Sequence, residues 1–422
     1  MGIAIAHFED GSVIETDNLH VAFDTGSQHS RTRAVRLMGE FDMDRQVFCN
    51  STNIIVDAKT ALFIGYWESP TDHAMFQFRN SDNDTRVVWN GGSFIPDRKP
   101  DGIQDRQMDA IRVQAKWKNA RVIINNVSVV NAAGGFCFET LDANREEADT
   151  GNIATGRIHA TVVGCIFSEF YGDRRPNGTR ESGHSQGVYA SGRVDLEMLD
   201  STTRDIGWRR NDPMYQADVF CHGLYFIGGT AVVTGCSFSS CAHSGLQFRT
   251  GVCVGAFNNY ADNAIHLEHG HHQNPNDAVC YSYGEDFSEP RALYEVAGQR
   301  RECLIHINRS NVSVVSGCAY NPMEPEKAPT GEWGAIAVAS VGRRLIISDM
   351  KIGDRLIGMH ISRPLPPESI VRRLDLSACS KPLWIQWDET GPRQAIGGTW
   401  IDCNVPGYTT EPVGPAREGA AQ

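Results

Sequence analysis

Short runs in which apolar and polar residues alternate recur along the chain, separated by Gly, Asn and Asp, and no helix-length amphipathic segment interrupts them. Alternation with a period of two is the mark of a strand that buries one face. It is clearest between His222 and His269, where Gly223-Leu-Tyr-Phe, Gly245-Leu-Gln-Phe and Ala264-Ile-His-Leu repeat one phrase about every 20 residues. A second phrase, Gly-Cys-x-aromatic, alternates with it at Gly164-Cys-Ile-Phe, Gly235-Cys-Ser-Phe and Gly317-Cys-Ala-Tyr, and Val254-Gly-Ala-Phe is a shorter variant. Two strand types alternating at this period predict a solenoid, one coil per repeat, and an all-β fold.

The pattern divides the chain in three. Residues 1–32 hold strand-like pieces without the repeat phrase and read as an N-terminal cap or attachment segment over the open end of the solenoid. Residues 33–405 carry the coils, and 406–422 form a Pro/Gly-rich tail without core residues. Between coils lie insertions at Tyr171–Ser185, Asp200–Cys221, Gly270–Arg301 and Met323–Trp333, expected to leave from turns and to wall a groove.

Composition narrows the partners. A net charge of −12 with only isolated basic doublets argues against nucleic acid, because neutralising phosphates takes clustered Lys and Arg. No stretch approaches the ~20 apolar residues that span a bilayer, so no membrane partner is expected. The start, Met1 to Phe8, lacks the pattern of a secretory signal. Of the 12 cysteines, Cys165, Cys236 and Cys318 share one inward slot of the repeat, which favours free thiols stacked as small apolar side chains over disulfides. Zinc-type Cys/His spacing is missing, and the run from His266 to His272 lacks the helical His pair of a metal site, so no metal ligands are assigned. Calcium stays open as a cofactor through the acidic loop of Asp277, Glu285, Asp286 and Glu289, although its spacing is not that of an EF-hand.

The stretches VVWNGGSF, VIINNVSVVNAAGGFCFET and HGLYF followed by VVTGCSFSSCAHSGLQF resemble the single-stranded right-handed parallel β-helix of the pectin-lyase-like superfamily, over roughly residues 33 to 400. That superfamily holds polysaccharide lyases, glycoside hydrolases, uronan epimerases and bacteriophage tailspikes. The resemblance implies a fold more than an activity. It implies polysaccharide as partner and leaves two readings. One is a virion-type spike, homotrimeric, in contact with other virion proteins and reaching the outside by lysis; the other is a free bacterial lyase, hydrolase or epimerase.

Period two also sets side-chain direction. With Val188, Leu224, Leu246 and Ile265 inward, the outward columns run Tyr189, Tyr225, Gln247, His266 and then Ser191, Ile227, Arg249, Glu268. Stacked at about 4.8 Å per coil, Tyr189, Tyr225 and Gln247, with His222 beside them, suit carbohydrate: flat rings for pyranose C–H faces and polar tips for hydroxyls. An ordinary solvated sheet face with an Arg249–Glu268 surface pair is the alternative. His243 and Asp262 share an offset just before these strands, with His184 a coil earlier, and imidazole beside carboxylate can transfer protons near neutral pH. Hydrolysis would instead need two carboxylates about 5–10 Å apart, for which Asp262 with Glu268 or Asp205 are candidates. For a lyase, Arg249 and His266 would neutralise a uronate and take its proton. Against all of these stands a purely local role in capping turns.

Overall fold

The strand Ala120–Asn125 shows how the coils are made: its residues alternate buried and outward, and it lies in parallel, unshifted register between Thr85–Asn90 and Ile158–Val163. The computed structural model describes residues 1–23, 31–49, 51–65, 67, 72–79, 83–96, 109–140, 155–170, 185–207, 221–290, 295–296, 299–300, 302–320, 334–353, 357–385 and 396–406. Parallel strands cannot be joined by tight hairpins; here each partner is reached by travelling once around a coil, and the fold is a right-handed parallel β-helix.

Two compact units, residues 1–246 and 247–422, divide the chain. In the first, three sheets are recognisable. One contains Thr85–Asn90, Ala120–Asn125 and Ile158–Val163 and continues into the second halves of Ser185–Leu199 and Cys221–Thr234. Another stacks Val47–Cys49, Ala74–Arg79, Asp109–Ala115, Gly134–Thr140 and the first halves of the same two long strands. A third runs Ser93–Ile95, Ser128–Val130, Ile166–Phe170, Thr202–Ile206 and Ser237–Cys241. The long strands serve two sheets because their ladder is broken by an irregularity between Gly192 and Asp195. In the second unit Ile265–His269, Cys303–Ser316, Ile336–Lys351, Ile357–Ile361 and Lys381–Ile385 stack in the same parallel manner.

The first coils are filled by rings. Phe63 lies 4.7 Å from Phe94, 5.1 Å from Phe76 and 5.6 Å from Phe41 between centroids, with buried Trp89 against the same group. The N-terminal residues are the antiparallel exception: Ile3–Phe8 pairs with Val13–Thr16 and with Thr32–Asp42. The short helix Leu19–Ala22, capped by Asn18, ends at Phe23, whose ring stacks 6.3 Å from Trp89. These N-terminal residues are thus tied to the core by an aromatic contact.

Turns stack as regularly as strands. In the first unit Gly91, Asn126, Gly164, Asp200 and Gly235 occupy equivalent places, each with positive φ, joined by backbone hydrogen bonds from one coil to the next; Phe257, Gly284, Gly317 and Asp349 do the same in the second. The cost of left-handed backbone explains why Gly, Asn and Asp dominate there. All 12 cysteines are free. Cys165 and Cys236 sit one residue past the turn in the same column as Ser201, their thiols buried and facing backbone carbonyls. The inward cysteine slot read from the sequence is therefore a free-thiol slot. The insertion segments 171–184, 208–220 and 321–333, His184 and the tail from 407 onward lie outside the described residues.

Candidate functional site

On the outer face of the sheet through Asp109–Ala115 and Gly134–Thr140, register brings three polar side chains together. Arg112 stands opposite Cys137, and Gln114 opposite Glu139, while Asp109, at the start of the strand and in the parity of Ile111 and Val113, is reached by the Arg112 side chain. Arg112 donates from Nη2 to Glu139 Oε2 at 2.6 Å and from Nη1 to Asp109 Oδ2 at 3.4 Å. A chain of amides supports the far side: Gln46 donates to Gln77 (2.7 Å), Gln77 to Gln114 (2.6 Å), and Gln114 to Glu139 (3.2 Å). Glu139 therefore accepts from two donors at once, and Gln46 anchors the chain through Oε1 to the backbone of His73 and Ala74.

Burial differs across the cluster and decides which groups a ligand can meet. The side chains of Arg112 and Glu139 are 18% and 22% exposed, whereas that of Asp109 is 2% exposed. Burial pushes the Asp109 carboxyl from 3.8 up to about 7, against the pull of Arg112 and with a further push from Glu139. Burial alone would weaken the charge on Arg112, but Cys137, Asp109 and Glu139 together outweigh it and raise its pKa. One guanidinium thus links a carboxyl that holds its proton near neutrality with a carboxylate at the surface.

Two coils further, the same outer face becomes aromatic. Tyr189 stands opposite Cys137 in the ladder, and Tyr225 opposite Tyr189, with ring centroids 6.0 Å apart. His222 stacks on Tyr225 at 4.7 Å and is met edge-on by His243 at 4.9 Å. His222 Nδ1 lies 2.5 Å from Ser244 Oγ and 3.5 Å from His243 Nδ1. Glycines make this close stacking possible: a Cβ on Gly223 would come within 2.5 Å of the Gly245 carbonyl oxygen. Burial pushes the Tyr189 hydroxyl up to about 12, so it stays a neutral phenol at neutral pH, able to donate a hydrogen bond.

Of the residues singled out in the sequence, Tyr189, Tyr225, His222 and His243 are brought together. The others in the second unit are not arranged as an open outward face. Gln247, His266 and Glu268 are each no more than 2% exposed, and His222 in the first unit is equally buried, leaving Tyr189, Tyr225 and His243 as the partly exposed members. His266 lies between Asn263 (3.1 Å) and the Ser288 carbonyl (2.9 Å), and its ring stacks parallel to Phe287. Glu268 Oε1 is 3.1 Å from His306 Nδ1 and accepts from Asn308 Nδ2 at 3.1 Å. Arg249 does not pair with Glu268 in the expected surface bridge; it donates to Asn274 and Gln273, each at 2.7 Å. Asp262 is an exposed left-handed turn residue at φ 55 whose N–H meets the Glu289 carbonyl, in line with the turn-capping alternative. Period two told which way these side chains leave the strand, and their neighbours decide whether they see solvent.

The acidic loop considered for calcium is also divided. Glu285 sits in the buried slot that Cys318 fills one coil on, accepting from the Asn258 backbone at 2.8 Å, and Glu289 accepts from the Tyr320 hydroxyl at 3.0 Å. Among the described residues no group of three or more His, Cys, Asp or Glu side chains is placed to hold a metal ion. No described helix is long and apolar enough to cross a membrane.

Asp109, Arg112 and Glu139 went unread in the sequence. Their signal was a pair of polar positions, Arg112 and Gln114, alternating with Ile111 and Val113, in a strand whose partner Glu139 lies a coil away.

The architecture and the cluster define a parallel β-helix with a polar and aromatic site on one sheet face of its first unit. Among solved structures the chain is similar to the Dettilon tailspike protein (TM-score 0.49, 11% identity, covering 83% of this chain and 61% of that one). It is also similar to tailspike protein 3 of bacteriophage CBA120 (TM-score 0.42, 10% identity, 96% and 61%) and to the ORF18 protein of Geobacillus virus E2 (TM-score 0.39, 10% identity, 91% and 57%). The chain spans about three fifths of the length of these structures. No protein-family profile and no curated protein sequence matches it.

Proposed function

We propose that the chain is a spike-type β-helix that binds host-surface polysaccharide on the Tyr189 and Tyr225 face, with buried His222 stacked behind Tyr225, and cleaves it beside Glu139. One observation carries the reading: a surface carboxylate clamped by Arg112 stands on the same sheet face as a stacked run of aromatic rings. The rings offer flat partners for sugar C–H faces, and Arg112, Gln114 and Glu139 offer hydrogen bonds to hydroxyls. Glu139 is the group that meets the glycan. In hydrolysis the glycosidic C–O bond breaks, the leaving oxygen gains a proton, and water adds to the anomeric carbon. Glu139, held as a carboxylate by Arg112, is assigned the base role: it takes the proton of the attacking water while solvent protonates the leaving oxygen, and buried Asp109 is a positioning residue that holds Arg112 against it. As a spike the chain is a homotrimer joined to other virion proteins and active outside the host cell.

The test compares variants on purified capsular or lipopolysaccharide glycans by reducing-end release and by binding. Glu139→Gln is expected to lower cleavage by roughly 100- to 10,000-fold, the usual scale for a general acid–base group, with binding retained. Tyr225→Ala is expected to weaken binding. Unchanged turnover in Glu139→Gln, with loss in Asp262→Asn or Glu268→Gln, would move the chemistry to the pair first read from the sequence. A monomer by light scattering at micromolar concentration would overturn the trimer.

A further inference from the structure

A different outer face of the first unit carries a column that takes no part in this site. Rung by rung it runs Asn53, Arg86, Arg121, His159, Asp195 and Thr230. At one end charges are matched: Asp195 is bound by Arg157, lies 3.1 Å from His159 Nδ1 and accepts from Thr230 at 2.6 Å. Arg86 and Arg121 are different. They occupy adjacent rungs, about 4.8 Å apart, and neither guanidinium has a hydrogen-bond or ion-pair partner among the described residues. Like charges directly opposite one another repel, so this part of the column is left with a charge that an anion would relieve.

The two arginines border an open hollow of about 400 Å³ that also takes in His159, Asn53, Thr85 and Asn119. Its carboxylate, Asp84, already accepts from the Asn119 backbone at 2.9 Å. Beside the cationic column the next outward column is apolar, with Ile55 52% exposed and Val88 and Ile123 following it in register. Beyond that lies an amide column in which Asn125 donates to Asn90 at 2.9 Å. Cation, apolar strip and amides in parallel are the three contacts an acidic sugar needs: an oxyanion partner, a surface for C–H groups, and donors for hydroxyls.

We propose that this hollow binds an acidic glycan, with a carboxylate or sulfate of the sugar bridging Arg86 and Arg121. A nucleic acid fits less well, because the described lining has no Phe, Tyr or Trp ring to stack a base and a chain of net charge −12 repels a dense polyanion. The site stands apart from Glu139 and Tyr225, so their variants report on the other face alone.

Isothermal titration calorimetry at low salt tests it with four probes: an oligogalacturonate hexamer, a heparin-derived sulfated hexasaccharide, neutral maltohexaose and a short single-stranded DNA. At least one acidic sugar is expected to bind, maltohexaose not, and Arg86→Gln with Arg121→Gln to weaken the acidic sugar at least tenfold. The paired Arg→Lys variant is expected to fall between, since it keeps charge but loses the planar fork. Failure of both acidic sugars at millimolar concentration overturns the proposal, as does equal affinity in the double Gln variant. DNA binding as tightly through the same arginines would overturn it in favour of a general polyanion site. Dissociation of an oligomer by the double Gln variant would instead make this face an interface between copies.

Discussion

Two buried carboxyl groups, one in each unit, meet the same burial with different neighbours. Asp109 lies at the start of its strand beside Arg112 and is held to about 7; Glu285 lies inside its coil among Asn258, Gly255 and Cys318 and is pushed from 4.5 up to about 8. Burial is the first cause in both. Their neighbours differ in kind: Arg112 pulls Asp109 back toward ionisation, against a push from Glu139, and ties the two carboxyls together, while hydrogen bonds from Asn258 pull Glu285 back. A buried acid beside a cation belongs to a network that reaches the surface, and a buried acid among amides is a latent weakness of the core.

The largest expected effect tests that weakness. The unfolded chain releases the Glu285 proton near 4.5 and the folded chain holds it to about 8, so stability is highest at low pH, falls through that window and levels off above it. The loss is on the order of 5 kcal/mol, and Glu285→Gln should remove most of this slope in urea melts taken across pH. An unchanged slope would mean that Glu285 is not what makes the second unit alkali-sensitive. For Asp109 the same sign holds over a lower window, from 3.8 to about 7, with a smaller drop because its neighbours reach solvent. Asp109→Asn should flatten that part of the curve and shift the pH profile of glycan cleavage, whereas a purely structural role would move stability alone. At the small end stands the exposed pair Arg343–Glu368, at 3.5 Å with both side chains mostly in solvent. Arg343→Ala should leave the melting temperature where it is, and a resolvable drop would show that exposed charges matter here more than the contrast allows.

Much of the fold was legible because a coil repeats its own grammar. Gly-Cys-x-aromatic marked the turn, the inward small residue and the ring that fills the core, and the structure puts Cys165 and Cys236 in that slot. The same phrase, applied to Gly284-Glu285-Asp286-Phe287, would have placed Glu285 in the core instead of in a calcium loop. The site was less legible for a physical reason. Alternation gives the direction of a side chain relative to its own strand, but Gln247, His266 and Glu268 are buried all the same, and their neighbours, such as His306 and Asn308 against Glu268, are not recorded by a local pattern. Arg112 and Glu139 meet diagonally because one coil there returns after 25 residues, and their strands carry no shared phrase to betray the register.

The stacked left-handed turn has a further consequence for how such a chain tolerates change. Because one residue per coil bends the backbone the same way at the same phase, the turn resets the winding each time round. A loop of any length can be added between resets without throwing later coils out of step, as the unequal spacing of Asn126, Gly164, Asp200 and Gly235 already illustrates. The column works as a metronome: losing one beat by placing a β-branched residue there would disturb its own coil, while the next Gly, Asn or Asp restores the count.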